Sequence, residues 1–302
     1  MRDGVYGTPP DGLGQEPASA VQFSPLIPGA ERLDACDPGS LSSLAVLAPP
    51  GTAERRYTLA LGLQALASGN RMVALAPKLK GGARLGDELR SFGCTVEESA
   101  KRHHRICVTQ RPASLAGLDE AIAAGALRLL PALGLWSQPG IFSWDRIDPG
   151  SALLLELLPP LYGQGADLGC GIGILGRAVL ASAKVKSIAL VDLDRRAIDA
   201  ARRNVEDPRA SFHWSDVQRP SLRLTGLDFV VMNPPFHTGG GAEDRGLGQG
   251  FIKRAAEMLR PGGVLWLTAN RHLPYEAALK PAFKDVHLRA ERHGYKIVEA
   301  RR

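Results

Sequence analysis

The chain has 302 residues, of which 44% are hydrophobic and 23% charged, a composition typical of a globular protein with more than one domain. No apolar run approaches the roughly 20 residues that span a bilayer, and the first residues lack the apolar core of a signal peptide. We therefore expect neither a membrane anchor nor a secretory leader. The net charge of +6 is compatible with a polyanionic partner such as nucleic acid. The cysteines form no C-x-x-C pair, which argues against a zinc site or a disulfide framework and favours a cytoplasmic location.

The first half of the chain alternates strand and helix patterns after a Pro- and Gly-rich segment, residues 1–40, for which we predict little regular structure. Apolar runs predict strands, and apolar residues at helical spacing predict helices. The predicted strands cover 41–50, 71–78 and 105–111, and the predicted helices cover 55–70 and 84–93. This alternation is typical of an α/β domain.

The C-terminal end repeats this order. A strand over 227–236 that ends in Pro-Pro is followed by a helix, a strand and a second helical segment, over 250–263, 264–271 and 275–283. Residues 292–302 then align with 101–111.

The first copy lacks features of the second. Ala48-Pro49-Pro50 stands where the second copy has Asn233-Pro234-Pro235, and Gly51 replaces Phe236. No glycine-rich turn precedes it. We predict a duplicated α/β domain whose N-terminal copy, residues 1–130, has lost its chemistry.

Residues 126–140 look like the connection, and the second domain covers 138–302. It opens with a helix over 147–158, with Ser151 near its N-cap.

The segment QGADLGCGIGILGRAVL, residues 164–180, carries the strongest local signal. A short strand ends at Leu168 and runs into Gly169-Cys170-Gly171-Ile172-Gly173, which is followed by a helix. Glycines at this place permit a tight turn and let a ligand approach the backbone. The spacing differs from the dinucleotide-binding G-x-G-x-x-G, and Asp167 would repel a pyrophosphate. A ligand that carries an ammonium group or another positive charge would suit this turn better.

Three further strand ends carry polar side chains. The strand over 187–194 offers Asp192, 25 residues after Asp167, where an acid can hold a ribose diol. We assign the N-cap of the following helix to Asp194. The strand over 211–218 offers Asp216, placed to accept a hydrogen bond from an adenine amino group, and Asn233 ends the last strand. In a parallel sheet all these residues lie at the carboxyl edge, where open α/β sheets bind ligands.

These motifs resemble those of class I S-adenosylmethionine-dependent methyltransferases. DLGCGIG looks like their cofactor loop, VDLD like their ribose-binding strand end, and NPPF like the motif of amino-group methyltransferases. The sequence is most similar to the rRNA guanine-N2-methyltransferases of the small- and large-subunit type, through three segments. These are PGIFSWDRIDPGSALLLELL (139–158), NPPFHTGG (233–240) and LWLTANRHLPYEAAL (265–279).

The resemblance implies an α/β fold of two tandem Rossmann-like methyltransferase domains, the N-terminal one degenerate. It also implies S-adenosyl-L-methionine as cofactor, ribosomal RNA or a ribosomal subunit as partner, and no metal. The cofactor-binding residues would be Asp167, Gly169, Gly171, Gly173, Asp192, Asp216 and Asn233. The Asn233 side-chain oxygen and the Pro234 carbonyl would accept the two N–H groups of a guanine amine, and Phe236 would stack on the base.

Other functions remain compatible with the motifs. Methylation of the N5 of a protein glutamine and of the N6 of adenine in nucleic acid both use Asn-Pro-Pro with an aromatic residue. A non-catalytic RNA-binding or ribosome-assembly protein could also retain the fold, although Asp167, Asp192 and Asn233 argue against it. In KRHHR (101–105), adjacent histidines on a strand would point to opposite faces, so we expect a solvated basic edge.

Overall fold

The computed structural model describes residues 1–14, 17–219, 221–235 and 245–302, and the chain divides into two compact units. Unit 1 comprises Met1–Leu127 and Gln138–Gly140, and unit 2 comprises Arg128–Ser137 and Ile141–Arg302. Both units are α/β, as the sequence predicts.

Unit 1 contains a mixed six-stranded sheet. Its strands are β1 (Arg2–Tyr6), β2 (Val21–Gln22), β3 (Leu41–Leu47), β4 (Leu66–Pro77), β5 (Val96–Lys101) and β6 (His104–Gln110). Their order is β2-β1-β3-β4-β6-β5, with β6 antiparallel to both neighbours and the other pairs parallel. Helices α1 (Thr52–Ala65), α2 (Leu85–Ser91) and α3 (Leu118–Gly125) contribute to one hydrophobic core with the sheet.

Unit 2 begins with a hairpin of β7 (Arg128–Leu130) and β8 (Leu135–Ser137). Its main sheet consists of β9 (Gly163–Leu168), β10 (Val185–Asp192), β11 (Ala210–Trp214), β12 (Leu227–Met232), β13 (Leu259–Asn270), β14 (Asp285–Arg292) and β15 (Tyr295–Arg301). The order is β11-β10-β9-β12-β13-β15-β14, and only the pairs that involve β15 are antiparallel.

Helices cover both faces of this sheet. They are α4 (Pro149–Leu157), α5 (Ile174–Val179), α6 (Arg195–Asn204), α7 (Arg245–Met258) and α8 (Glu276–Ala282). The first three share a core with one face, and α7 and α8 share a core with the other. The central strand β12 is therefore apolar on both faces, which explains the uninterrupted run Phe229–Met232. Within the described part of the chain, no helix is long and apolar enough to cross a membrane.

The strand order of unit 1 repeats part of unit 2. The series β1-β3-β4-β6-β5 has the same order and directions as β9-β12-β13-β15-β14. Both series close with a two-residue hairpin turn at positive φ, at Arg102 and His103 (49° and 61°) and at His293 and Gly294 (53° and 81°). The prediction that both histidines of KRHHR lie on a strand is therefore wrong, because His103 lies in the turn.

Several elements differ from the sequence prediction. The strand β1 lies within the segment for which little structure was predicted, and α3, β5 and β14 were not predicted. The strands β5 and β14 are sheet edges with mostly exposed residues, and such strands lack the apolar runs or the regular alternation by which strands are recognised. Helix α1 begins at Thr52 and ends at Ala65, before the predicted Gly69-Asn70 stop.

Candidate functional site

The carboxyl ends of four parallel strands of unit 2 lie side by side. The register pairs Leu168 of β9 with Val191 of β10 and with Met232 of β12, and it pairs Asp192 with Trp214 of β11. The residues that follow these strands therefore share one edge of the sheet. This edge carries the predicted strand-end residues Asp192, Asp216 and Asn233 and the glycine-rich turn.

The glycine-rich turn has positive φ angles, which residues other than glycine adopt only with strain. Gly169, Gly171 and Gly173 have φ values of 73°, 52° and 86°. The N–H of Gly169 donates to the Val191 carbonyl at 2.8 Å, and Gly173 is the N-cap of α5. A Cβ atom on Gly173 would lie 3.0 Å from the Val205 side chain, whereas one on Gly171 would meet no atom within 4 Å. The turn is packed at its helix end and open at Gly171, where a ligand can reach the backbone.

Asp167 is a fully buried carboxyl group beneath this turn. Its Oδ2 accepts the Gly176 N–H at 2.9 Å, and its Oδ1 has no hydrogen-bond partner among the described residues. Burial, with a smaller contribution from the nearby Asp192, outweighs the Gly176 hydrogen bond and raises the pKa of Asp167 to about 7. A buried acceptor without a partner costs about 1–3 kcal/mol. Asp167 is thus suited to a ligand that brings a donor or a positive charge.

Asp192 ends β10 and connects two turns. Its Oδ2 accepts the Gly171 N–H at 2.8 Å, and its Oδ1 accepts the Asp194 N–H at 2.8 Å. Burial raises its pKa to about 6. Because a carboxylate oxygen can accept more than one hydrogen bond, these contacts leave capacity for a ribose diol. Asp194 is the N-cap of α6, as predicted, and accepts the Arg196 N–H at 2.9 Å.

Asp216 lies in a turn beyond β11. The strand ends at Trp214, so the prediction of a strand through Asp216 is wrong. The Asp216 side chain forms an Asx turn just beyond the strand, in which its Oδ1 accepts the Gln218 N–H at 2.9 Å. The Ser215 N–H donates to the Asp192 carbonyl at 2.9 Å, which keeps the turn beside β10.

Asn233 follows β12 and has its amide fixed on one side. The Nδ2 group donates to Asp148 Oδ2 at 2.8 Å and to Ser151 Oγ at 2.9 Å. Its Oδ1 is buried, and no described residue donates to it. Pro234, which is also buried, continues the backbone. Phe236, the predicted stacking residue, lies outside the described residues.

Asp148 and Ser151 are site residues that the sequence analysis did not assign. Asp148 is the N-cap of α4, and its Oδ2 accepts the N–H of Ser151, which lies near the N-cap as predicted, at 2.9 Å. Asp-Pro before an apolar helix is a helix-start pattern that could have placed this cap. The contact with Asn233 spans 85 residues and leaves no local signal.

Together these groups suit a small cationic ligand beside an amide acceptor. The unpartnered Asp167 oxygen can take an ammonium group, the open Gly171 backbone admits the ligand, and Asp192 can hold a diol. S-adenosyl-L-methionine has both an ammonium group and a diol, so the residues present fit it. In the part of the chain that is described, no group of three or more His, Cys, Asp or Glu side chains could hold a metal ion. Burial raises the pKa of the Cys170 thiol well above its usual value, which disfavours a thiolate nucleophile.

Comparisons with known proteins find similar chains. The family model of the methyltransferase small domain matches residues 132–299. The ribosomal RNA small subunit methyltransferase C of Pseudomonas aeruginosa (strain LESB58) is 31% identical over 299 residues, covering 93% of this chain and 86% of that protein. The enzyme of the same name from Shewanella sediminis is 35% identical over 162 residues, covering 52% of this chain and 46% of that protein. The solved T. thermophilus 16S rRNA N2 G1207 methyltransferase (RsmC), in complex with AdoMet and guanosine, is similar with a TM-score of 0.75 and 27% identity. This match covers 90% of this chain and 76% of that chain.

Proposed function

The chain belongs to the methyltransferase small domain family, and we propose that it transfers a methyl group from S-adenosyl-L-methionine to the N2 amine of a guanine in ribosomal RNA. The names of its relatives support ribosomal RNA as the substrate, and the solved relative binds AdoMet and guanosine. The net charge of +6 suits a polyanionic partner. A substrate of this kind supports a cytoplasmic location, which is part of the proposal.

The observation that carries the proposal is the buried, unpartnered Oδ1 of Asn233 at the cofactor edge. The exocyclic amine of guanine is a weak nucleophile because its lone pair is delocalised into the ring. Accepting its two N–H groups at Asn233 Oδ1 and at the Pro234 carbonyl favours a pyramidal nitrogen with an available lone pair. Proline restricts the backbone, so this carbonyl has a fixed direction. Such positioning can contribute roughly 7–11 kcal/mol in well-oriented reactions.

The cofactor supplies a methyl group bound to a positively charged sulfur. Asp167 would hold its ammonium group, Asp192 its ribose diol and Asp216 its adenine amino group. The open backbone at Gly171 gives the cofactor access to the glycine turn. Phe236 would stack on the target base and complete the set of residues around it.

We also propose that residues 1–130 are a degenerate copy that holds RNA or stabilises residues 138–302. The repeated strand order supports a common origin. At its Pro49-Pro50 step, the guanidinium of Arg55 donates to the Pro49 and Pro50 carbonyls at 3.2 and 2.7 Å. These carbonyls correspond to those of Pro234 and Pro235, and Arg55 takes up both as hydrogen-bond acceptors. Calorimetry on the full chain should give one S-adenosyl-L-methionine per chain, and two would contradict this interpretation.

The experiment is methylation of purified small ribosomal subunits, which contain both RNA and protein, with isotope-labelled S-adenosyl-L-methionine, followed by mass analysis of the nucleosides and of the amino acids. Label in N2-methylguanosine with the wild-type chain, and not with Asn233→Ala, supports the function. Label in N6-methyladenosine or in protein glutamine would contradict it.

A further inference from the structure

The amide of Asn233 can adopt two orientations that have almost the same shape. A rotation of 180° exchanges the oxygen, which accepts hydrogen bonds, with the NH₂ group, which donates them. Only one orientation can accept an N–H from a target amine. The other would present N–H groups to an amine that also needs an acceptor, and transfer would be blocked.

The structure fixes one orientation through two acceptors. The carboxylate of Asp148 and the hydroxyl of Ser151 lie 2.8 and 2.9 Å from Nδ2 of Asn233. In the exchanged orientation, Oδ1 would face the Asp148 carboxylate, which places two acceptors against each other. Both N–H groups of Asn233 are therefore used on one side, and its Oδ1 lies on the other without a partner among the described residues.

Asp148 is itself held firmly. The same Oδ2 that binds Asn233 also accepts the Ser151 N–H at 2.9 Å, which fixes the carboxylate to the first turn of α4. The helix is anchored by buried Leu153 and Leu154. The turn is tightly packed, since a Cβ atom on Gly150 would lie 2.6 Å from the Tyr295 ring. The helix start thus provides a rigid support for the Asn233 amide.

We propose that Asp148 and Ser151 are positioning residues that hold the Asn233 amide with its oxygen toward the target amine. This role rests on the function proposed above. Neither residue needs to contact the substrate, because both act through the orientation of Asn233. Their loss should lower the rate of methyl transfer and leave cofactor affinity nearly unchanged.

The test compares two substitutions that both preserve the helix cap. Asp148→Asn keeps an oxygen of similar reach, whereas Asp148→Ser keeps a good N-cap but its hydroxyl is too short to reach Asn233. We expect Asp148→Ser to lower the single-turnover rate by about 100-fold, since small misplacements have effects of this size. Asp148→Asn should lower the rate by only about tenfold. Ser151→Ala should show a smaller loss, which Ser151→Thr restores. Asp145→Ala, an exposed acid three residues earlier, is the control.

A second measurement does not depend on activity. In the ¹⁵N spectrum of the full chain, the Asn233 side-chain amide is identified by its absence in Asn233→Ala. Its protons should exchange slowly with solvent in the wild type and in Asp148→Asn, and quickly in Asp148→Ser. This readout tests the positioning role even if the wild-type chain methylates no guanine, a result that would overturn the proposed function alone.

Three outcomes would overturn the positioning role. One is a wild-type transfer rate in Asp148→Ser, and another is an equal loss in Asp148→Ser and Asp148→Asn. The third is a loss matched by an equal fall in S-adenosyl-L-methionine affinity, which would indicate a structural role of the helix start.

Discussion

The backbone N–H of Gly171 donates a 2.8 Å hydrogen bond to Oδ2 of Asp192, and this bond joins the glycine turn to the end of the neighbouring strand. Asp192 therefore shapes the turn, and the proposed function gives it a second role in binding the ribose. The turn is pre-formed by a residue that would also contact the ligand. Because the turn is already ordered before the ligand binds, binding costs less conformational entropy.

Asp192→Ala should weaken S-adenosyl-L-methionine binding by about 100-fold, because hydrogen bonds to a charged group contribute about 1.5–3 kcal/mol each. The substitution also releases the Gly171 and Asp194 N–H groups, so part of the loss comes from the turn. Calorimetry on this variant measures the affinity, with Glu206→Ala, an exposed acid of the same unit, as control. Unchanged affinity would rule out the ribose assignment.

Cofactor affinity should depend on pH through Asp167, whose pKa is about 7 in the free protein. A bound ammonium group favours the ionised carboxylate, so affinity should rise by about tenfold between about pH 6 and about pH 8. Binding near about pH 7, the middle of this range, should release protons, which calorimetry in buffers of different ionisation enthalpy detects. Asp167→Asn should remove the part of the pH dependence centred at about pH 7 and leave the part due to Asp192, whose pKa is about 6. A flat profile in the wild type would contradict the assignment.

The same pKa shift predicts a cost in stability. A carboxyl whose pKa is raised on folding keeps its proton longer in the folded state than in the unfolded chain. The free energy of unfolding should therefore decrease as the pH rises from about 4 to about 7. Asp167→Asn should then be more stable than the wild type at about pH 8, by about 2 kcal/mol, while binding the cofactor more weakly. Chemical denaturation of the wild type and the variant at about pH 4 and about pH 8 measures the free energy of unfolding. A variant less stable than the wild type at about pH 8 would contradict this prediction.

In unit 1, the buried pair of Arg55 and Glu88 should dominate local stability. Two guanidinium nitrogens donate to the Glu88 carboxylate at 2.7 Å, and the Arg55 side chain is only 1% exposed. Glu88→Ala leaves a buried charge without its partner and should cost about 3–5 kcal/mol. Replacing both residues with methionine should cost much less.

Denaturant unfolding of the full chain measures this effect. The matched control is Asp87→Ala, which removes the exposed pair with Arg90 and should change the free energy of unfolding by less than about 1 kcal/mol. A similar small change in Glu88→Ala would show that the buried pair contributes little.

Asn233 and Phe236 should affect different steps. Asn233→Ala should lower the single-turnover rate by about 100-fold and leave cofactor affinity nearly intact, because Asn233 addresses the target amine. Phe236→Ala should mainly weaken productive binding of the base, by about 1–3 kcal/mol of lost stacking. Rates measured over a range of RNA concentrations separate the two effects. Near-wild-type transfer by Asn233→Ala would mean that the Asn-Pro-Pro strand end is only a rigid turn.

The extent to which the sequence predicts this site differs from residue to residue. Phe229–Met232 and the glycines of 169–173 are predicted well, because continuous apolar runs and glycine spacing depend on local backbone geometry. The sequence pattern predicts a strand through Asp216 because an Asx turn and a strand end look alike in sequence. The Asp148–Asn233 contact could not be predicted, because only the packing of α4 on the sheet brings these residues together.

The central claim concerns the product of the reaction, and mass mapping of nuclease fragments of ribosomal RNA from cells with and without the gene tests it most directly. Cells that lack the gene should lose N2-methylguanosine at one position, and a plasmid with the wild-type gene should restore it. A plasmid with Asn233→Ala should fail to restore it although the protein is present. An unchanged N2-methylguanosine content, or the loss of a methylated adenine instead, would contradict the proposed function.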